Sequence, residues 1–386
     1  MTLTNTSFSR NLRILYVGMK YNYGKPEQGY SFEHYNFYDS LQRMGHNVLY
    51  FDFMSLLQEH GQESMNRRLL EVVKAEKPDL MFTVLFKDEL DRKVVREISE
   101  NTDTVTLNWF CDDHWRFDIY SRFWAPCFNW VVTTAQSALP KYAKIGYHNA
   151  IKSQWGCNHF LYHQLKNLPL KYDVTFVGQP HGNRRETIEV LRQAGINVYL
   201  WGSGWEAGRL SQEEMIQVFN QSRINLNLTN SFTTVPTKNP ALRWISDRLD
   251  VIPTGSQVKM MGKKWLTSVK HSLPVAPAVE HSQNPVQQYP DQIKGRNFEI
   301  PGCSGFVLTG KADNLENYYQ IGQEVVCFEN NDDLIDKVRY YLKHDDQRAA
   351  IAQAGYERTL RDHTYAQRFA QVFEQMGLLY ASQGVR

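Results

Sequence analysis

The stretch 172–205, YDVTFVGQPHGNRRETIEVLRQAGINVYLWGSGW, decides the fold. Its apolar run YDVTFV ends at Gly178. A polar loop with Gly182 follows, then the amphipathic run RRETIEVLRQAG, then the apolar NVYLW. This is a strand–loop–helix–strand unit of the kind that builds parallel sheets. The same order opens the chain. LRILYVG (12–18) predicts a buried strand, and SFEHYNFYDSLQRMG (31–45) a helix with Gly45 past its end. NVLYFDF is the next strand, and RRLLEVVKAEKP is a helix stopped by Pro78. DLMFTVLF, TVTLNWF and NWVVTTA are further strands, with DELDRKVVREISEN as a helix between the first two. The stretch at 172 is therefore a restart.

Outward from it toward the C-terminus, EEMIQVFNQS reads as a helix, and RINLNLT, GFVLT and EVVCFEN read as strands; successive helices close the chain. Repeated β-α-β order implies a mostly parallel sheet covered on both faces. The fold class is α/β, with two doubly wound, Rossmann-like units joined near 162–171. The predicted division is 1–165 as a first domain and 166–365 as a second. The final 366–386 form a terminal helix. The segment 231–290 breaks the rhythm. It lacks periodicity, carries many Pro, Ser, Thr and Gln, and places Trp244 and Trp265 among Lys and Arg residues. An irregular stretch of this length inside a compact domain points to function or disorder.

Composition sets wide bounds. With 386 residues, 42% hydrophobic and 22% charged, the chain has ample material for two cores. A net charge of +2 gives no global attraction to nucleic acid, so none is expected as a partner. Five Cys, an odd count without a close Cys-x-x-Cys pair, argue against a disulfide framework or a zinc site and for a reducing cytoplasm. The opening residues lack an apolar signal-peptide core, and no apolar run reaches membrane-spanning length.

In doubly wound folds ligands sit beyond the carboxyl ends of the strands. Four loops qualify. The first, VGQPHGNRRETI, has Gly178 for a turn, then Arg184 and Arg185 at a helix start. It suits a phosphate, or is a plain βα loop with a solvated Arg pair. It matches neither a P-loop nor a dinucleotide fingerprint. The second, DQIKGRNFEIPGCSGFVLT (291–309), sets Lys294 and Arg296 before Glu299. The cations suit a diphosphate, and the acid would accept hydrogen bonds from ribose hydroxyls or serve as a cap or salt bridge. Its glycines would let the backbone approach a ligand. The third, WFCDDHWRF, offers Asp112, Asp113 and His114 as candidate catalytic groups, with Trp115 beside them. A helix N-cap is the competing reading, and no second cluster supports a metal. The fourth, GMKYNYGKPEQGYSFEH, is a Gly- and Tyr-rich loop that brings Glu33 as an acceptor-binding candidate.

The run from QIKGRNFEIPGCSGFVLT through NLENYYQIGQEVVCFENNDDLIDKVRYYL to HTYAQRF resembles the C-terminal half of the spore-maturation-protein (CgeB-type) glycosyltransferases. TLNWFCDDHWRFDIYSRFWAPCFNWVVTT and KSQWGCN resemble that family's N-terminal half. The resemblance spares 231–290. It implies two Rossmann-like domains facing across a cleft (the GT-B fold), with the last helix crossing back to the first domain. It implies transfer of a sugar from a UDP- or GDP-type nucleotide-sugar to a hydroxyl acceptor, without an essential metal. Glu299 would hold the ribose, with Lys294 and Arg296 beside the diphosphate. Asp291 stands where retaining relatives often carry a second Glu, a departure that leaves its role open. The alternative function is a nucleotide-sugar-binding scaffold or regulator without catalysis. The 231–290 segment would be a lid, an acceptor arm or a membrane-surface contact. The last of these would make the protein peripheral at the inner membrane face.

Overall fold

The computed structural model describes residues 10–229 and 291–379. Expectations for 231–290 fall outside them. The first half forms a six-stranded sheet from β1 (Arg13–Gly18), β2 (Asn47–Asp52), β3 (Leu80–Thr83), β4 (Val105–Phe110), β5 (Trp130–Thr133) and β6 (Ala150–Lys152). The second half forms a five-stranded sheet from β7 (Tyr172–Val177), β8 (Tyr199–Trp201), β9 (Ser222–Asn227), β10 (Val307–Gly310) and β11 (Val326–Phe328). Every pairing between these strands is parallel.

The two sheets share one topology. The first runs β2-β1-β3-β4-β5-β6, and the second, read from its far edge, runs β8-β7-β9-β10-β11. Each reverses direction of growth once, between β1 and β3 and between β7 and β9. Those points open crevices at the strand ends. The strands are apolar because helices cover both faces. Every residue of β3 is buried, as are the last five of β1.

One hydrophobic cluster runs from the first sheet into the second, taking in Tyr16, Phe82, Trp109, Phe219, Phe298 and Val325. The terminal helix Tyr365–Gln375 contributes to it. Thr364 and Gln367 form a capping box at its start. Phe369 then meets Phe37 edge-on at 5.5 Å and Trp109 at 5.9 Å between ring centroids. The chain enters this helix along the segment after β6: Cys157 N–H donates to the His363 carbonyl (2.9 Å), and Tyr365 N–H to the Cys157 carbonyl (3.0 Å).

Three details differ from the sequence reading. The helix expected at 67–78 begins at Phe53 and runs to Glu76, passing a non-helical Gly61. The strand β6 has only three residues and no pattern to announce it. The helix expected at 31–45 starts with a π-turn, His34–Tyr38, before the α-helical Asp39–Arg43. Such turns shift side chains out of α register and are frequent at functional sites.

Candidate functional site

Loops after β1, β3 and β4 close around a cavity of about 150 Å³. Its apolar surface comes from Met19, Val84, Leu85 and Phe110, and its charge from Glu33, Asp112 and Arg116. Arg116 is held over the Tyr120 ring, 4.0 Å from its centroid. Burial raises the Glu33 carboxyl above its ordinary range, and the neighbouring Asp112 charge pushes the same way. The sequence-predicted Asp112 and Glu33 thus meet at the switch point of the first sheet.

Asp113 turns the other way. It opens the short helix Asp113–Arg116 with its side chain buried, and it accepts a hydrogen bond from Tyr142 Oη at 2.7 Å. Burial raises its carboxyl. It lines neither this cavity nor the larger one, unlike its neighbour Asp112. His114 is buried as well; burial lowers its ring to about 4, so it is neutral at physiological pH. Trp115 is half-buried and lines neither this cavity nor the next.

A larger cavity, about 630 Å³, lies between the 22–36 loop of the first half and the carboxyl ends of β7 and β8. Tyr30, Phe32 and Tyr35 line it from the first half, and Gly178, Arg209 and Arg296 from the second. The volume and the mix of aromatic and cationic lining suit a small organic anion. Arg296 donates from Nε to the Val177 carbonyl (3.3 Å) and lies 5.4 Å over the Phe219 ring, which fixes its guanidinium at the wall.

Gly178 shapes this wall but presents no free N–H. Its N–H bonds the Trp201 carbonyl (2.8 Å), and its own carbonyl accepts from Trp205 Nε1 (2.8 Å). Arg184 lies apart from this lining. It is buried and donates to the Gln179 and Leu228 carbonyls at 2.8 and 2.7 Å, tying the ends of β7 and β9 together outside the cavity lining. Burial lowers its guanidinium to about 10.

The 291–295 stretch reaches toward the first half, where the Gln292 side chain donates to the Cys111 carbonyl. This brings Lys294 near Asp112. Burial lowers the Lys294 ammonium to about 8, with Asp112 opposing that shift. Partial burial raises the Asp291 carboxyl, against the pull of Lys294 and Arg184.

Glu299 departs furthest from its predicted place. It lies inside the helix Arg296–Gly302 and is fully buried. One carboxylate oxygen accepts from Tyr162 Oη (2.8 Å) and Asn36 Nδ2 (3.3 Å); the other pairs with Arg296. It reaches neither cavity. It holds Arg296 and joins the two halves. The glycines of the stretch likewise serve packing. A Cβ on Gly302 would run into Cys157 Sγ, and one on Gly305 would sit 2.9 Å from the Phe219 carbonyl. Sequence reading missed Asn36, Tyr162 and Arg209, which stand in loops or turns without a motif.

Among the described residues, no three His, Cys, Asp or Glu side chains are grouped to hold a metal, and no helix is long and apolar enough to cross a membrane.

This architecture is the GT-B fold. HepE from Anabaena, solved in complex with UDP and glucose, is similar over 95% of this chain and 100% of its own, with a TM-score of 0.57 at 11% identity. A glycosyltransferase from Rickettsia africae matches over 95% and 98% (TM-score 0.54, 9% identity). AviGT4, a glycosyltransferase involved in avilamycin A biosynthesis, matches over 94% and 97% (TM-score 0.51, 12% identity). Residues 184–246 and 255–374 match the family model described as glycosyl transferase-like. No curated protein matches the sequence. The likeness to these structures extends over nearly the whole chain and shows the fold, while the family match lies in the second half.

Proposed function

We propose that the protein transfers a sugar from a UDP- or GDP-type nucleotide-sugar to a hydroxyl acceptor. The observation that carries this reading is the 630 Å³ cavity at the ends of β7 and β8, whose lining mixes aromatic rings with the guanidinium groups of Arg209 and Arg296. A nucleoside diphosphate matches that polarity, and HepE, of the same fold, was solved with UDP and glucose.

In this reading Arg296 and Lys294 stabilise the diphosphate as its bond to the sugar breaks, since fixed cations act where negative charge develops. Glu299 acts through Arg296, holding it in place. Asp112, with Glu33 beside it, accepts the acceptor's hydroxyl proton at the smaller cavity. These groups supply the charge stabilisation, so no essential metal is invoked. Within the class, the order of motifs favours a CgeB-type enzyme, working in the cytoplasm and peripheral to the membrane.

The test is incubation with a panel of nucleotide-sugars and sugar acceptors, in buffer with and without EDTA, following released nucleotide. Acceptor-dependent release from one donor, undiminished by EDTA, supports the proposal. Tight nucleotide binding with no release from any donor would move the assignment to a non-catalytic scaffold.

A further inference from the structure

We propose that Arg116 selects the acceptor by taking a carboxylate: the smaller cavity receives a sugar ring of the hexuronic-acid type, with its carboxylate on Arg116 and a hydroxyl at Asp112.

Among the described residues that line this cavity, Arg116 is the one cation. It is half-buried, and two rings hold its guanidinium, Tyr120 at 4.0 Å and Trp115 at 5.7 Å from their centroids. A guanidinium lying on a ring face keeps its N–H groups open along its rim. Those of Arg116 have no hydrogen-bond or ion-pair partner among the described residues. Its charge is balanced from outside the lining by Glu89, but both Glu89 oxygens already accept from the Lys87 N–H (2.7 and 2.8 Å). Arg116 is thus a compensated charge with its donors unused.

The acids of the lining form a pair apart from it. Beyond burial, the charge that reaches Glu33 is Asp112, while Arg116 reaches Glu89 and Tyr120. The Cys111 thiol, also in the lining, is pushed up by burial, then by Asp112 and Glu33, with Arg116 opposing. The acid pair and the guanidinium therefore face one space.

That space decides between anions. A guanidinium fork fits a carboxylate and a phosphate alike. With two acids in the same cavity, one guanidinium answers a single negative charge; a doubly charged phosphate would meet their repulsion. The volume, about 150 Å³, is of the size that admits one six-membered ring. Met19, Leu85 and Phe110 give that ring apolar surface to lie on. The backbone carries an independent sign. Arg116 directly precedes the π-turn Phe117–Ser121, and Glu33 directly precedes the π-turn His34–Tyr38. Such turns are frequent at functional sites, and both border this cavity.

The inference rests on the glycosyl-transfer reading for the hydroxyl at Asp112, and on the cavity alone for the carboxylate. Arg116 came from no motif: in WFCDDHWRF the acids draw attention and the Arg reads as a surface residue.

The experiment is calorimetric titration of wild type, Arg116→Gln and Arg116→Lys with glucuronate, galacturonate and mannuronate, beside glucose, galactose and mannose, with and without UDP or GDP. Melting temperatures check that the variants fold, and the comparison of acid with neutral ring in wild type stands without them. The expected result is that wild type binds one hexuronate at least about 10-fold tighter than its neutral hexose. Arg116→Gln should lose that preference, and Arg116→Lys, which keeps the charge without the fork, should recover part of it. Wild type that binds acid and neutral rings alike, or neither, overturns the proposal, as does a preference that survives in Arg116→Gln. Nucleotide release with neutral acceptors alone overturns it too, while leaving glycosyl transfer in place. Hexuronate binding through Arg116 with no release from any donor keeps the carboxylate site and removes the transfer reading.

Discussion

Tyr162 donates a hydrogen bond to the buried Glu299 carboxylate at 2.8 Å, across 137 residues of sequence. Asn36, from the first half, meets the same oxygen. One acid is thereby shared by the first half, the connection after β6 and the helix that carries Arg296.

Glu299→Ala should therefore damage stability as well as activity. It leaves Arg296 without its counter-charge, and Tyr162 and Asn36 each without an acceptor. Losing one partner of a buried pair costs about 3–5 kcal/mol. Tyr162→Phe should cost less, about 1–3 kcal/mol, because the carboxylate keeps its other donors. Urea denaturation checks both. If Glu299→Ala unfolds like wild type yet loses nucleotide binding, Glu299 contacts the ligand directly and its positioning role fails.

The adjacent acids Asp112 and Asp113 should separate cleanly. Asp112→Asn is expected to lower kcat by about 10²- to 10⁴-fold with little change in melting temperature. Asp113→Ala should lower the melting temperature, since it strands the buried Tyr142 hydroxyl. Turnover at saturating substrates, measured beside a thermal melt, distinguishes them; the opposite pattern would return catalysis to Asp113.

Acid should destabilise the protein early. Burial lowers His34, His46, His114 and His363 to about 4, against an ordinary 6.5. Between those values the unfolded chain binds more protons than the native one. Stability is then fully present above about pH 6.5 and falls as the pH drops toward 4. His46→Gln, which loses a ring accepting from the Leu12 N–H at 3.2 Å, should have a lower stability at neutral pH and a shallower acid slope. Denaturation midpoints at half-unit pH steps read both quantities, and an unchanged slope would count against His46 as a contributor.

Gly302→Ala should lower the melting temperature, because the new methyl group meets Cys157 Sγ inside the seam between the halves. Overpacking of this kind costs about 1–3 kcal/mol. Adding Cys157→Ala in the same chain should recover part of the loss. No recovery would place the strain elsewhere.

The fold was legible because parallel strands buried on both faces announce themselves as apolar runs, and because the run at 172 repeats the one at 12. The three-residue β6 carries too little pattern to be seen. The site was legible only in part. Attention to loops at strand ends picked out Asp112, Glu33 and Arg296, which line the two cavities. Which of two neighbouring acids faces a cavity depends on where a four-residue helix begins, and sequence fixes such ends poorly. The burial of Glu299 depends on Asn36 and Tyr162 arriving from far along the chain.

The helix Tyr365–Gln375 has a consequence for how the protein is made. Phe369 lies against Phe37 and Trp109 in the core of the first half, yet it leaves the ribosome only after the whole second sheet has been made. The N-terminal half emerges with that part of its core uncovered and must wait through the synthesis of the whole second half. A nascent chain of this design needs a partner for its open surface in the interval, and its two halves, cut apart after β6, should not make two soluble proteins.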